Sequence, residues 1–396
     1  MRKVDGSITE ATGQPDEAEP DVSVLIPCLN EAGTLAEVID NARRAFERLG
    51  LTGEIVVADN GSTDGSVEIA ARRGVRVVHV EERGYGNALR HGARTARGRV
   101  LVIGDADDTY DFQEMERFLA RLAAGADFVM GTRLGPGRIM PGANPWLNRK
   151  VGTPALTFAL NRLFGLRITD VNCGMRAIAR QKFAALDLRS TGMEFASEML
   201  IKAAVNELRI EEVPVTLHPD RRRGRGSHLR RWSDGWRHLE FMLLHAPDQL
   251  VFLPGLALFV VGLLFAIPVS TGPRLILGRS FDFHFLFLGG AMALIGLQGI
   301  VGAILVRDVA GDRVFRPNRL LSALSRGMSL GRGLGVAATL FAGGFVLDGI
   351  VLFRWIHQNF GALNEPRLSV LGLLVMTIAV EVAICAFLHA ALKKHA

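Results

Sequence analysis

The sequence predicts an α/β domain with a mostly parallel sheet, followed by an all-α transmembrane domain of four helices. Three observations predict it. Between Asp21 and Pro214, short apolar runs alternate with amphipathic stretches, the pattern of repeated β-α-β units. After Gln249 come four long apolar runs of about the length that crosses a bilayer. The chain is 49% hydrophobic yet carries 46 Lys and Arg against 40 Asp and Glu, so watery and lipid-compatible regions are separate. The expected division is a tail over 1–20, the α/β domain over 21–215, a basic juxtamembrane segment over 216–248 and the membrane domain over 249–396.

The tail, MRKVDGSITEATGQPDEAEP, has no apolar core segment and reads as disordered rather than as a signal peptide. VSVLIPCL reads as a strand and TLAEVIDNARRAFERLG as a helix ending at Gly50. EIVVAD is a strand, SVEIAARRG a helix, VRVVHV a strand and GNALRHGARTARG a helix. RVLVIGDAD is a strand, FQEMERFLARLAAG a helix and ADFVMGTR a strand. The apolar runs cover 249–269, 283–306, 334–354 and 368–391, with Asp348 and Glu381 inside them as functional groups or helix–helix ties. Basic residues crowd before the first run, in the middle loop RDVAGDRVFRPNRLLSALSRGMSLGRG and in the terminal KKHA. The expected arrangement is a multi-pass plasma-membrane protein with the α/β domain and C-terminus cytoplasmic. The cysteines, Cys28, Cys173 and Cys385, lack metal-ligand spacing and read as reduced thiols.

In such sheets ligands sit outside the carboxyl ends of the strands. Polar clusters fall there repeatedly. In LIPCLNEAGTL, Asn30 and Glu31 sit where a helix begins; ordinary capping by Asn30 is the plain alternative to a ligand role for this loop. In VVADNGSTDGS, Asp59 ends a strand, able to accept hydrogen bonds from a base or sugar ring, and Asp64 follows a glycine turn. In ERGYGNALRHG, a Gly-x-Gly turn opening a helix leaves room for a phosphate or ribose. In VIGDADDTYDF, Asp105 and Asp107 are one small residue apart after an apolar run. That spacing directs two carboxylates at one hard divalent cation, Mg²⁺ or Mn²⁺, which removes their mutual repulsion.

The order Pro27–Glu31, Asp59-x-Gly-Ser-Thr-Asp64-Gly, Gly84-x-Gly-Asn87-Ala, Asp105-Ala-Asp107 and Gly131-Thr-Arg133 resembles the family 2 glycosyltransferases of GT-A, Rossmann-like fold. DVNCGMRAI, GMEFASEML and IEEVPVTL make it similar to the polyprenyl-phosphate (dolichyl-phosphate-type) glycosyl synthases over about 22–245. The resemblance implies that Pro27, Leu29, Glu31, Asp59, Asp64, Gly86, Asn87 and Asp105 bind a nucleotide-sugar of the UDP-glucose or GDP-mannose type. It implies Asp105 and Asp107 as metal ligands, and Asn172, Arg176, Glu194 and Glu198 around the sugar. Arg133 would meet the lipid phosphate or the donor diphosphate. The acceptor phosphate is already anionic, so no dedicated base is named. Asp107, Asp108 and Arg133 carry the catalytic roles, Asp108 an auxiliary one. Two positions depart from the family pattern: Asn60 stands where Asp is usual, and Thr109 where Gln often contacts the metal.

HPDRRRGRGSHLRRWSDGWRH has seven arginines against two aspartates just before the first apolar run. Its position favours anionic lipid and phosphate over nucleic acid. Arg222, Arg223, Arg225, Ser227 and His228 stand where the family grips a polyprenyl phosphate. Leu229, Trp232, Trp236, Leu239 and Leu243 share one helical face, suited to the membrane surface or to packing on the α/β domain. The stretch 148–166 is a second such helix, placed to meet the acceptor. A homo-oligomer is compatible with the sequence. Two other readings stand beside this one. HLRRW is near the Gln-x-x-Arg-Trp of processive polysaccharide synthases, and a non-catalytic nucleotide-sensing scaffold would leave the Asp pair without a purpose.

Overall fold

The computed structural model describes residues 19–221, 231–276, 278–311, 315, 317–362 and 365–395. The expected N-terminal tail therefore lies outside the described residues up to residue 18. The chain divides into two compact units, Met1–Phe158 with Arg167–His238, and Ala159–Leu166 with Leu239–Ala396.

Unit one starts with β1 (Val22–Cys28), α1 (Leu35–Leu49), β2 (Gly53–Asp59), α2 (Ser66–Arg72), β3 (Arg76–His79), α3 (Tyr85–Thr95) and β4 (Val100–Ile103). It continues with α4 (Met115–Ala123), β5 (Phe128–Thr132), β6 (Arg138–Ile139) and α5 (Thr153–Phe164), which crosses into the other unit. Then come β7 (Arg176–Ala179), α6 (Arg180–Ala185), α7 (Phe195–Val205), β8 (Ile210–Pro214), β9 (Thr216–Leu217) and α8 (Arg231–Leu244), the last also crossing. Seven strands form one sheet in the order β3-β2-β1-β4-β7-β5-β8. Every pair is parallel except those of β7, which runs antiparallel to β4 and β5.

The physical reasons are local. β1 lies mid-sheet with Val24, Leu25 and Ile26 fully buried, which is why it reads as a continuous apolar run. α1 buries Leu35, Val38, Ile39, Ala42, Ala45 and Phe46 along one face, and Gly50 ends it in the left-handed conformation. β4 stops at Ile103 rather than running on to Asp107. The Gly104 amide still bonds Leu25 O at 3.2 Å, and a Cβ there would lie 2.5 Å from the Phe112 ring, so the chain leaves the sheet over Phe112. Asp111 caps the next turn, its carboxylate accepting from the Gln113 amide at 2.9 Å.

Unit two holds four helices long and apolar enough to cross a membrane. They are α9 (Leu253–Ser270, with the turn Asp248–Phe252 before it), α10 (Phe283–Ala310), α12 (Leu330–His357) and α13 (Pro366–His395). A β10–β11 hairpin (Arg274–Ile276, Arg279–Phe281) joins the first two, and α11 (Arg319–Gly327) precedes α12. Small residues set the close approaches: a Cβ on Gly262 would meet Ala293 N at 2.4 Å. Asp248 and Arg307 form a buried bidentate pair at 2.8 and 3.0 Å, and His389 meets Asp308 at 2.5 Å. Of the two carboxylates flagged in the spans, Glu381 accepts from Gln298 at 3.4 Å, and Asp348 packs against Gly372.

Candidate active site

The loops after β1 and β2 are laced together. Asn30 takes a positive φ of 58° and its side-chain oxygen accepts from the Thr63 amide at 2.8 Å. The capping alternative does not hold, because α1 begins only at Leu35, with Thr34 at the cap position. The amide of Glu31 donates to Ser66 Oγ (2.9 Å) and that of Ala32 to Asp64 (3.1 Å). Asp64 also accepts from Ser66 Oγ at 2.6 Å. Burial pushes its carboxyl up, but these bonds outweigh it and hold it below the usual range. Asp59 is buried and accepts from the amides of Gly61 and Ser62. Pro27 lies in β1 and Leu29 just beyond it, both half-buried.

Asn60, the departure from the family pattern, has a definite task. Its amide donates to the carbonyls of Val80 (3.3 Å) and Glu82 (2.9 Å), and its oxygen accepts from the Gly84 amide (2.6 Å). An aspartate could not make the two donations. The glycines of the next turn differ from expectation. A Cβ on Gly84 would lie 2.2 Å from Thr191 O, and one on Gly86 2.2 Å from Ser190 O. The close approach they allow is that of the 190–191 backbone, where the sequence suggested a phosphate or ribose. Asn87 is buried, bonded to Arg83 O and to Arg90.

Asp105, Asp107 and Asp108 follow β4 at the carboxyl edge of the sheet. Burial first, then the charge of Asp107, pushes the Asp105 carboxyl up to about 7, with Arg133 and Arg176 opposing. Tyr85 OH faces Asp105 at 3.4 Å, and a Cβ on Gly174 would lie 2.3 Å from Asp105 Oδ2. Asp107 accepts from Thr109 Oγ1 at 2.6 Å, so Thr109 orients Asp107. Asp108 has φ of 60° and pairs with Arg221 at 3.0 Å. Burial raises its carboxyl despite that arginine. Arg221 is brought there by β9, which pairs with β6, and by the His218 amide bonding Thr109 O at 2.9 Å.

The donor set suits a hard divalent cation. Two carboxylates two residues apart, one with a raised pKa, carry a repulsion that a cation removes, and phosphate oxygens and water complete such shells. Among the described residues no group of three or more His, Cys, Asp or Glu is arranged to hold a metal alone.

Several arginines and acids expected to face ligands have protein partners in the fold. Arg133 forms a bidentate pair with Asp170 at 2.6 and 2.7 Å, with Asp170 fully buried. From that position its charge also acts on Asp105. Arg176 is buried and donates to the carbonyls of Cys173, Ala196 and Val171. Glu198 is likewise buried, taking the amides of Arg189 and Ser190 and pairing with Lys202 at 2.9 Å. Asn172 donates to Thr153 Oγ1 at 3.1 Å. Glu194 differs: one oxygen accepts from the Gly192 amide, and the other is buried with no hydrogen-bond partner among the described residues. Arg222, Arg223, Arg225, Ser227 and His228 lie outside the described residues. Tyr85, Asp170, Gly174 and Arg221 were not foreseen as site residues. Asp170 and Gly174 stand within the TDVNCGMR block, which was the available signal.

Residues 23–186 match the family described as Glycosyl transferase family 2, and 309–393 the Glycosyltransferase family 2 C-terminal transmembrane region. The low-salt glycan biosynthesis hexosyltransferase Agl6 of Haloferax volcanii is 37% identical over 372 residues, covering 93% of this chain and 88% of that protein. The dolichyl-phosphate hexose transferase of the same organism is 32% identical over 196 residues, 49% of this chain and 82% of that protein. Among solved structures, the chain is similar to glucosyl-3-phosphoglycerate synthase from Mycobacterium tuberculosis, at 22% identity and a TM-score of 0.45, covering 57% of this chain and 79% of that one.

Proposed function

The chain belongs to glycosyl transferase family 2 and is a multi-pass membrane glycosyltransferase; from that premise we propose that it moves one sugar from a nucleotide-sugar to a polyprenyl phosphate, with inversion. One observation carries this reading: Arg221, the first of the RRRGR arginines, lies 3.0 Å from Asp108, next to the Asp105–Asp107 pair. A basic stretch that begins beside a cation-suited carboxylate pair brings an anionic acceptor to the donor diphosphate. The dolichyl-phosphate hexose transferase among its relatives bears that acceptor class in its name. The donor is of the UDP-glucose or GDP-mannose type. The α/β domain and C-terminus face the cytoplasm in the plasma membrane, as the basic loops favour.

A divalent cation, Mg²⁺ or Mn²⁺, held by Asp105 and Asp107, would neutralise charge on the departing diphosphate. The rest falls to the chain. Thr109 fixes the rotamer of Asp107, and Tyr85 and Gly174 confine Asp105. Buried Arg133 and Arg176 temper the negative charge there without leaving their own partners. Arg221 begins the cationic stretch that receives the lipid phosphate. That phosphate oxygen is already ionised, so catalysis is positioning and charge stabilisation, with no proton to remove. The test is transfer of labelled sugar into extractable lipid by the purified chain. Asp107→Asn lowers transfer about 100-fold or more while thermal unfolding is unchanged. A variant that transfers at the parent rate in chelator removes the metal assignment.

A further inference from the structure

The first turn of α7 holds two supports of Asp105, and its middle residue is tied to another helix. Ala196 O accepts from Arg176 Nη1 at 2.8 Å, and the charge of Arg176 acts on Asp105. The carboxylate of Glu198 takes the amides of Arg189 and Ser190 at 2.9 and 2.8 Å. That fixes the backbone against which the turn before α3 packs. Thr191 O accepts from the Gly86 amide at 2.9 Å, and neither Gly84 nor Gly86 has room there for a Cβ. Between those glycines lies Tyr85, whose hydroxyl donates to Asp105 Oδ1 at 3.4 Å. Ser197 stands between Ala196 and Glu198. It is fully buried, and its Oγ shares a 2.7 Å hydrogen bond with Nδ1 of His238 on α8. His238 is 7% exposed, whereas Trp236, two positions earlier on α8, is 62% exposed. Both Ser197 and His238 belong to unit one.

We propose that His238 is a positioning residue for Asp105, acting through Ser197 and the first turn of α7. Ser197 Oγ and His238 Nδ1 are buried, so each atom left without the other loses a bond that water does not replace. The pair therefore fixes the turn that carries it. A shift of that turn moves residues 196 and 198 together, and with them Arg176 and the backbone at 189–191. The displacement reaches Tyr85 through packed backbone, and Asp105 through the Tyr85 hydroxyl and the Arg176 charge. Each step is a printed contact between neighbours rather than a pattern in the sequence, and His238 touches no part of the site itself. That Asp105 holds a cation rests on the proposed function; the coupling of His238 to Tyr85 does not.

The chain has two tyrosines, Tyr85 and Tyr110, so fluorotyrosine labelling of the full chain in detergent gives two fluorine resonances, assigned with Tyr85→Phe and Tyr110→Phe. Ser197→Ala/His238→Leu removes both polar partners together and keeps the space apolar, so it folds. Expected is a shifted Tyr85 resonance with that of Tyr110 in place. His238→Asn, whose amide group can donate or accept near the Nδ1 position, returns Tyr85 to the parent's resonance. His238→Gln, which carries its amide too far along the side chain, shifts Tyr85 in the same direction by less. Trp236→Ala, on the exposed face of α8, moves neither tyrosine. A Tyr85 resonance unmoved in the double variant overturns the coupling. So does a shift shared equally by Tyr110 with lowered thermal unfolding, which marks general loosening. Positioning is read by paramagnetic resonance of free Mn²⁺ titrated onto the chain with UDP or GDP present. The double variant binds Mn²⁺ about fivefold more weakly, and His238→Asn restores the affinity. Unchanged Mn²⁺ affinity beside a shifted Tyr85 resonance overturns the positioning role. Absence of Mn²⁺ binding by the parent chain counts against the cation assignment and leaves the fluorine spectra to decide the coupling.

Discussion

Changing Asp170 to Ala tests whether Arg133 is held by the fold. Asp170 is fully buried and takes two guanidinium bonds at 2.6 and 2.7 Å, with the Arg133 side chain only 11% exposed. The Arg133 amide donates to the same carboxylate at 3.0 Å and the Asn172 amide at 3.3 Å. Truncation leaves a buried guanidinium without its counter-charge, a loss of about 3–5 kcal/mol. For a domain of this size that lowers the melting temperature by about 6–20 °C. The assay is thermal unfolding of the full chain in detergent, followed by tryptophan fluorescence. Arg133→Met with Asp170→Leu removes both charges and fills the space, so it recovers most of the stability. It does not recover transfer, because Asp105 has lost a neighbouring cation. A loss under about 1 kcal/mol for Asp170→Ala, or a double variant no more stable than the single, refutes the reasoning.

Three further outcomes follow from the same geometry. Asn60→Asp, which restores the family's usual residue, loses two donations to Val80 and Glu82 and destabilises by about 1–3 kcal/mol in thermal unfolding; a neutral or stabilising effect contradicts the role assigned to it. Gly174→Ala drives a methyl to 2.3 Å from Asp105 Oδ2, so transfer falls well before stability does, and a fully active variant means the loop is not so confined. Glu198 is pushed up by burial, but Lys202 and the amides of Ser190 and Arg189 outweigh that and hold it below 4.5. A depressed carboxyl stabilises above its unfolded value, so the deficit of Glu198→Gln in chemical unfolding is full at pH 7 and shrinks as pH falls below 4.5; a deficit independent of pH contradicts the ion pair.

The β-α-β alternation and the four apolar helices were legible because each depends on a period or a length in the sequence. The Asp105–Asp107 pair was legible for a related reason: carboxylates directly after a buried strand need a partner. The arginines were not. Sequence displays Arg133 and Arg176 as cations near a site. It does not display that Asp170, 37 positions on, claims one, or that three carbonyls claim the other. Gly84 and Gly86 exposed a similar limit. A glycine announces that something comes close, and here it is the backbone at 190–191. Asn60 seemed a weakness in a nucleotide-binding motif until its three bonds placed it as the pin of the loop ahead of α3.

The most direct measurement is mass spectrometry of lipids after the purified chain is incubated with a short polyprenyl phosphate, Mg²⁺ or Mn²⁺ and a panel of nucleotide-sugars. The expected product is the lipid phosphate carrying a single hexose, formed from one donor in preference to the rest and abolished by chelator. A polymer, a product on something other than the lipid phosphate, or nucleotide bound without any turnover would contradict it.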